Sequence, residues 1–83
     1  GQPSGPEIRD DVVIVNNTRC PMSGRLIPPD VRERWRVELV YEGPDEAYQG
    51  RTLLFNTGSS ECAARLPDLW RSERDAVMGR AGL

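Results

Sequence analysis

Residues 31–43 read "VRERWRVELVYEG", and they carry the clearest structural signal in the chain. Trp35, Val37, Leu39 and Tyr41 alternate with Arg34, Arg36, Glu38 and Glu42, and only Val40 interrupts the polar side. Successive side chains of a strand point to opposite faces, so this pattern predicts a half-buried strand of antiparallel character. Downstream, Gly43-Pro44-Asp45-Glu46 is turn chemistry, and Gly50 precedes a second apolar run, Arg51-Thr52-Leu53-Leu54-Phe55. The two runs predict a hairpin whose connection is longer than a tight turn. Upstream, Asp11-Val12-Val13-Ile14-Val15 is rich in β-branched residues and predicts a short buried strand. Asn16-Asn17-Thr18 ends it; the triplet matches a glycosylation sequon but is read as ordinary turn residues.

The C-terminal third, "NTGSSECAARLPDLWRSERDAVMGR", changes period. Ser59 or Ser60 can cap a helix beginning near Glu61, with Cys62, Leu66, Leu69 and Trp70 on one face. Pro67 falls inside that pattern and predicts a break or kink there. Ser72-Glu73-Arg74-Asp75 resembles a capping box that restarts a short helix through Val77 and Met78. Residues 1–10, rich in Gly and Pro at their start, are expected to form a flexible or extended arm, and residues 11–83 a single small domain. The expected fold class is α+β: a small antiparallel sheet or hairpin with a broken C-terminal helix.

A chain of 83 residues can bury only a modest core, and domains of this size often need a disulfide, a metal or a partner surface. Net charge is −2, with acidic residues interleaved among the arginines, which does not describe a nucleic-acid-binding face. No stretch approaches the roughly 18 apolar residues of a membrane span. The chain opens Gly1-Gln2-Pro3-Ser4 without Met, which leads to an expectation of N-terminal processing and, weakly, of export to a periplasmic or other oxidising compartment.

There is no His and no Lys, so the commonest general base and the commonest metal ligand are both missing. A nucleophile would need a carboxylate as its base, and the adjacent pairs Asp10-Asp11 and Asp45-Glu46 do not face each other across a substrate. The chain is therefore expected not to be an enzyme. The two cysteines hold the remaining chemistry. Cys20 lies in the turn Cys20-Pro21-Met22-Ser23-Gly24 and Cys62 at the predicted helix start. Two thiolates, with Met22 as a thioether, could serve copper or zinc, although structural zinc takes four protein ligands. A bridge between them would close a loop of about 42 residues and contribute about 4 kcal/mol in a chain-entropy account. Two unconnected buried thiols are the third possibility.

These segments together resemble the YHS/TRASH-like metal-associated domains, small treble-clef-like modules. Cys20-Pro21-Met22-Ser23-Gly24 matches the family's cysteine knuckle, and Tyr48-Gln49-Gly50-Arg51-Thr52-Leu53-Leu54-Phe55 matches its central strand. Glu61-Cys62-Ala63-Ala64-Arg65-Leu66 matches its helix start, so the resemblance spans about residues 11–78. Asn56 stands where the family has its first cysteine after the strand Phe, and the approach to Cys62 is longer than usual. The resemblance implies that the knuckle and the helix start converge, which favours a Cys20–Cys62 pair, as a disulfide or a vestigial ligand pair.

Function is then expected to be that of a degenerate interaction module. It would be an accessory subunit docked on a larger complex, for example a membrane-bound redox or photosynthetic one, and stapled by a Cys20–Cys62 disulfide without a cofactor. Trp35, Trp70, Arg34 and Arg36 are candidate contact residues, because Trp and Arg are enriched at interfaces. The alternative is a copper- or zinc-binding sensor or carrier using Cys20, Cys62 and Met22.

Overall fold

A computed structural model describes residues 6–83. Strands β1 (Glu7–Arg9), β2 (Val12–Ile14), β3 (Trp35–Val40) and β4 (Thr52–Thr57) form one sheet in the order β1-β2-β4-β3, followed by helix α1 (Ser60–Arg80). A single 3-10 turn, Pro29–Val31, lies between β2 and β3. The class is α+β, as the change of period from two to three-and-a-half predicts.

The alternation in residues 35–41 is realised directly. Val37, Leu39 and Tyr41 are buried while Val40 is 56% exposed. β3 pairs antiparallel with β4, placing Val37 beside Phe55 and Leu39 beside Leu53. The connection after Val40 closes on itself through Tyr41, whose N–H donates to the Arg51 carbonyl at 2.9 Å and whose hydroxyl accepts from the Asp45 N–H at 3.1 Å. Gly43 tucks against that ring: a Cβ there would lie 2.8 Å from Cζ of Arg74 and collide with the Tyr41 hydroxyl.

Two features of the sheet depart from the sequence reading. First, the sheet is mixed rather than antiparallel, because β2 runs parallel to β4, with Val13 beside Leu53. The Thr52 N–H donates to the Asp11 carbonyl at 2.7 Å and the Val15 N–H to the Leu54 carbonyl at 3.2 Å, so both edges of β4 are hydrogen-bonded. A β-branched run with little polar alternation suits such a buried parallel position. Second, Glu7–Arg9 extends and pairs antiparallel with β2, and Asp10 takes the positive φ of 41° that a two-residue hairpin turn requires. Residues 1–5 of the expected arm lie outside the described residues.

Helix α1 starts where the caps predict: the Ser59 hydroxyl accepts from the Cys62 N–H at 3.2 Å. It does not break at Pro67. The departure from helical geometry falls at Glu73, with φ −136° and ψ 44°. Pro67 removes one backbone donor, but Leu66 and Trp70 on either side of it are buried against the sheet and hold the turn in place. At the bend, the Ser72 hydroxyl donates to the carbonyls of Asp68 and Leu69, competing for acceptors that the helix would otherwise use. The bend falls within Ser72–Asp75, the segment expected to restart the helix.

The core lies between one face of the sheet and α1. Val13, Leu53, Phe55, Leu66 and Val77 have no exposed area, and Trp70 is 8% exposed. Trp70 packs on Phe55 with ring centroids 5.5 Å apart and on Tyr41 at 6.3 Å, and its indole N–H donates to the Val40 carbonyl at 3.2 Å. Arg74 caps this cluster, its guanidinium 5.3 Å from the Tyr41 ring centroid.

Trp70→Ala removes a buried aromatic contact between helix and sheet and is expected to cost about 3–5 kcal/mol, a large part of the ~5–15 kcal/mol available to a small domain. Urea unfolding checks it, and a midpoint within error of the parent contradicts this packing. Gly43→Ala is expected to cost about 1–3 kcal/mol by overpacking against Tyr41 and Arg74. The same measurement applies, with Gly58→Ala as the comparison, since a Cβ at Gly58 meets no atom within 4 Å.

Candidate functional site

Residues 18–27 form a tight knuckle. The Ile27 N–H donates to the Thr18 carbonyl at 2.8 Å, the Cys20 N–H to the Arg25 carbonyl at 2.9 Å, and the Gly24 N–H to the Cys20 carbonyl at 2.8 Å. Arg19 and Leu26 make an isolated antiparallel bridge, and Gly24 sits at φ +75°, where a side chain would be strained. Pro21 beneath the turn is fully buried, and its carbonyl accepts from Arg80 of α1 at 3.3 Å. The short Cys-Pro-x-x-Gly sequence thus closes on itself and presents Cys20 from its inner side.

Cys20 is 3% exposed. Burial pushes its thiol up, but hydrogen bonds from the backbone N–H groups of Met22, Ser23 and Gly58, with the Ser23 hydroxyl, outweigh burial and hold it below the usual thiol range. Gly58 belongs to the link between β4 and α1, so this contact joins the knuckle to the helix start. Cys62 stands in the first turn of α1, half-buried, its N–H capped by Ser59.

The two cysteines come together on one cavity of about 440 Å³, lined by Cys20, Ser23, Arg25, Leu26, Ile27, Pro28, Gly58, Ser59 and Cys62. In this structure both are free thiols. What holds is the convergence of knuckle and helix start on a shared space. Met22 does not join them. Its side chain packs against the hydrophobic core instead of lining the cavity. The donors on this cavity are two thiols and two serine hydroxyls, and among the described residues no group of three Cys, His, Asp or Glu side chains converges to hold a metal ion. Such a set falls short of the four nitrogen or sulfur ligands of a structural zinc site.

The other candidate residues separate. Trp70 is a core residue and Trp35 is half-buried, its carbonyl accepting from the Thr57 hydroxyl at 2.6 Å. Arg36 is engaged within the chain, donating through Nε to Asn56 at 3.2 Å and through Nη2 to Glu33 at 2.9 Å. Arg34 is exposed.

Two residues take a role that the sequence reading did not anticipate. Asn17 and Asn56, 3% and 2% exposed, hold each other reciprocally. The Asn56 N–H donates to Oδ1 of Asn17 at 2.8 Å, the Asn56 amide to the Asn17 carbonyl at 3.1 Å, and the Asn17 amide to the Asn56 carbonyl at 2.8 Å. The Asn17 amide also reaches the Arg19 carbonyl at 2.8 Å, which sets the entry to the knuckle. Asn56 therefore fills with hydrogen bonds a place where the resemblance puts a cysteine. The available signal was an Asn inside an otherwise apolar strand, where that residue type is depleted unless its amide is satisfied.

Comparison with protein-family models, with curated proteins and with solved structures finds no match to this chain.

Because the Cys20 thiol ionises more readily in the folded chain than when unfolded, the folded state releases its proton first. Stability is therefore expected to rise with pH from the folded pKa up to the ordinary thiol value and to hold above it. Urea unfolding of the reduced protein across that interval checks this; the rise should vanish in Cys20→Ser and persist in Cys62→Ser.

Proposed function

We propose that this chain is a non-enzymatic interaction module, a degenerate YHS/TRASH-like domain of treble-clef-like design that docks as an accessory subunit on a larger protein complex. The observation that carries the reading is the sheet face turned away from α1. Val12 and Ile14 of β2 and Leu54 of β4 stay half-exposed there, in register with one another and with Val40 and Glu38 of β3. Val40 is 56% exposed. A β-branched and leucine patch at the middle of a sheet, bordered by charges, has the composition of a protein-binding surface with an apolar centre and a polar rim.

The rim decides the kind of partner. Glu7 and Arg9 on one edge form an ion pair at 2.8 Å, and Arg36 and Glu33 form another at 2.9 Å on the opposite edge. Charges of both signs suit a protein surface of mixed polarity; a polyanion or an anionic lipid surface would call for a basic rim. Among the described residues no helix is long and apolar enough to cross a membrane. Cys20 and Cys62 are the pair that staples the module when oxidised, tying the knuckle to the helix start.

A photo-crosslinking residue placed at position 40 should give one discrete adduct with a larger protein in the native cell. Leu54→Glu should abolish that adduct while shifting the melting temperature by no more than a few degrees. The same residue placed at position 73, on the exposed bend of α1, should give none. An adduct with a second copy of the chain, or one indifferent to Leu54→Glu, overturns the reading.

A further inference from the structure

The cavity between the knuckle and the helix start holds a second kind of chemistry. Its two thiols differ in setting. Cys20 is buried, and the backbone N–H groups of Met22, Ser23 and Gly58 with the Ser23 hydroxyl favour its thiolate form. Cys62 sits half-exposed across the same cavity, in the capped first turn of α1. Arg25, which is exposed, lines the cavity as well. Donors converging on one sulfur stabilise it as a thiolate, which is the reactive form towards peroxides. A volume of about 440 Å³ admits an oxidant the size of water many times over, since a water molecule takes about 30 Å³.

We propose that Cys20 and Cys62 are a peroxide-responsive dithiol, in which Cys20 is the oxidised residue and Cys62 resolves it. This deepens the Cys20–Cys62 pairing named above and is independent of the docking face. Sγ of Cys20 attacks one oxygen of hydrogen peroxide. An S–O bond forms, the O–O bond breaks, and the departing hydroxide takes a proton to leave as water. Cys20 is now a sulfenic acid, oxidised by two electrons, and the peroxide is reduced. Sγ of Cys62 then attacks Sγ of Cys20, the S–O bond breaks, and the hydroxide leaves as water with the proton of the Cys62 thiol. Two thiols and one peroxide have become one disulfide and two waters.

The donors assign the order of events. Ser23 and the backbone N–H groups of Met22, Ser23 and Gly58 act on Cys20, the buried thiol, whereas Cys62 is the more exposed thiol on the same cavity. The product joins the knuckle to the first turn of α1 across the mouth of the cavity. Oxidation therefore adds a covalent closure between two segments that the fold already brings to one cavity.

The test uses the purified reduced chain. Stoichiometric hydrogen peroxide should lower the intact mass by about 2 Da with no dimer, and raise the melting temperature by more than about 10 °C, as expected for a bridge of this loop length. In Cys62→Ser the same dose should leave a sulfenic acid at Cys20 that dimedone traps. In Cys20→Ser, dimedone should label Cys62 at least tenfold less. Equal labelling of Cys62 overturns the assignment. A bridge that forms with diamide but not with peroxide overturns the peroxide route and leaves the pairing intact. No bridge with either oxidant overturns the pairing itself while the docking face stands. The mass and melting measurements on the parent chain keep the proposal falsifiable should either variant fail to fold.

Discussion

Everything in this domain hangs on how one helix is held against one face of a four-stranded sheet, and Trp70 is the fastening. Its ring fills the space between Phe55 of β4 and Tyr41 at the end of β3, while its indole N–H satisfies the Val40 carbonyl at the same edge. An aromatic ring that buries much area and also hydrogen-bonds fixes both the depth and the register of the helix. Once Trp70 is seated, Leu66 one turn earlier and Val77 two turns later face the sheet, and Arg74 is left over the Tyr41 ring. The bend at Glu73 lets the last turns of α1 keep Val77 and Met78 on that surface.

Apolar burial alone would not place the knuckle. A segment of irregular backbone between two strands must find partners for its own N–H and C=O groups. Asn17 and Asn56 supply them, bridging positions 39 residues apart with three hydrogen bonds between buried groups. Arg80 adds a contact from the far end of α1 to Pro21. The knuckle is thereby held between the ends of β2 and β4 at one side and the helix at the other, and its inner face meets the β4–α1 link. That is why Cys20 and Cys62 share a cavity although their segments are separated by two strands.

Much of the fold was legible in the chain. The alternation from Trp35 to Tyr41, the Ser59 cap and the restart at Ser72 each depend on neighbours within a few residues, and each appears where local patterning puts it. The direction of pairing between β2 and β4 was not legible, because a β-branched run such as residues 12–15 suits a parallel or an antiparallel neighbour equally well. That the helix runs through Pro67 was equally hidden, because it depends on what Leu66 and Trp70 bury, and burial is a property of the partner surface. At the candidate site, the knuckle and its cysteine were readable from Cys20-Pro21-Met22-Ser23-Gly24, whereas the role of Gly58 as a donor to Cys20 was not.

By itself, then, the sequence determined which residues turn inward on each element, where the helix begins, and that the chain holds two thiols and no imidazole. Tertiary structure alone decided that β2 lies beside β4, that Asn17 and Asn56 satisfy each other, that Met22 goes to the core, and that the two thiols face one cavity. The physical reason is the range of the forces involved. Side-chain periodicity and capping are settled over one or two turns of chain. Pairing of buried polar groups and sharing of a cavity depend on segments some forty residues apart, which only the closed loop brings together.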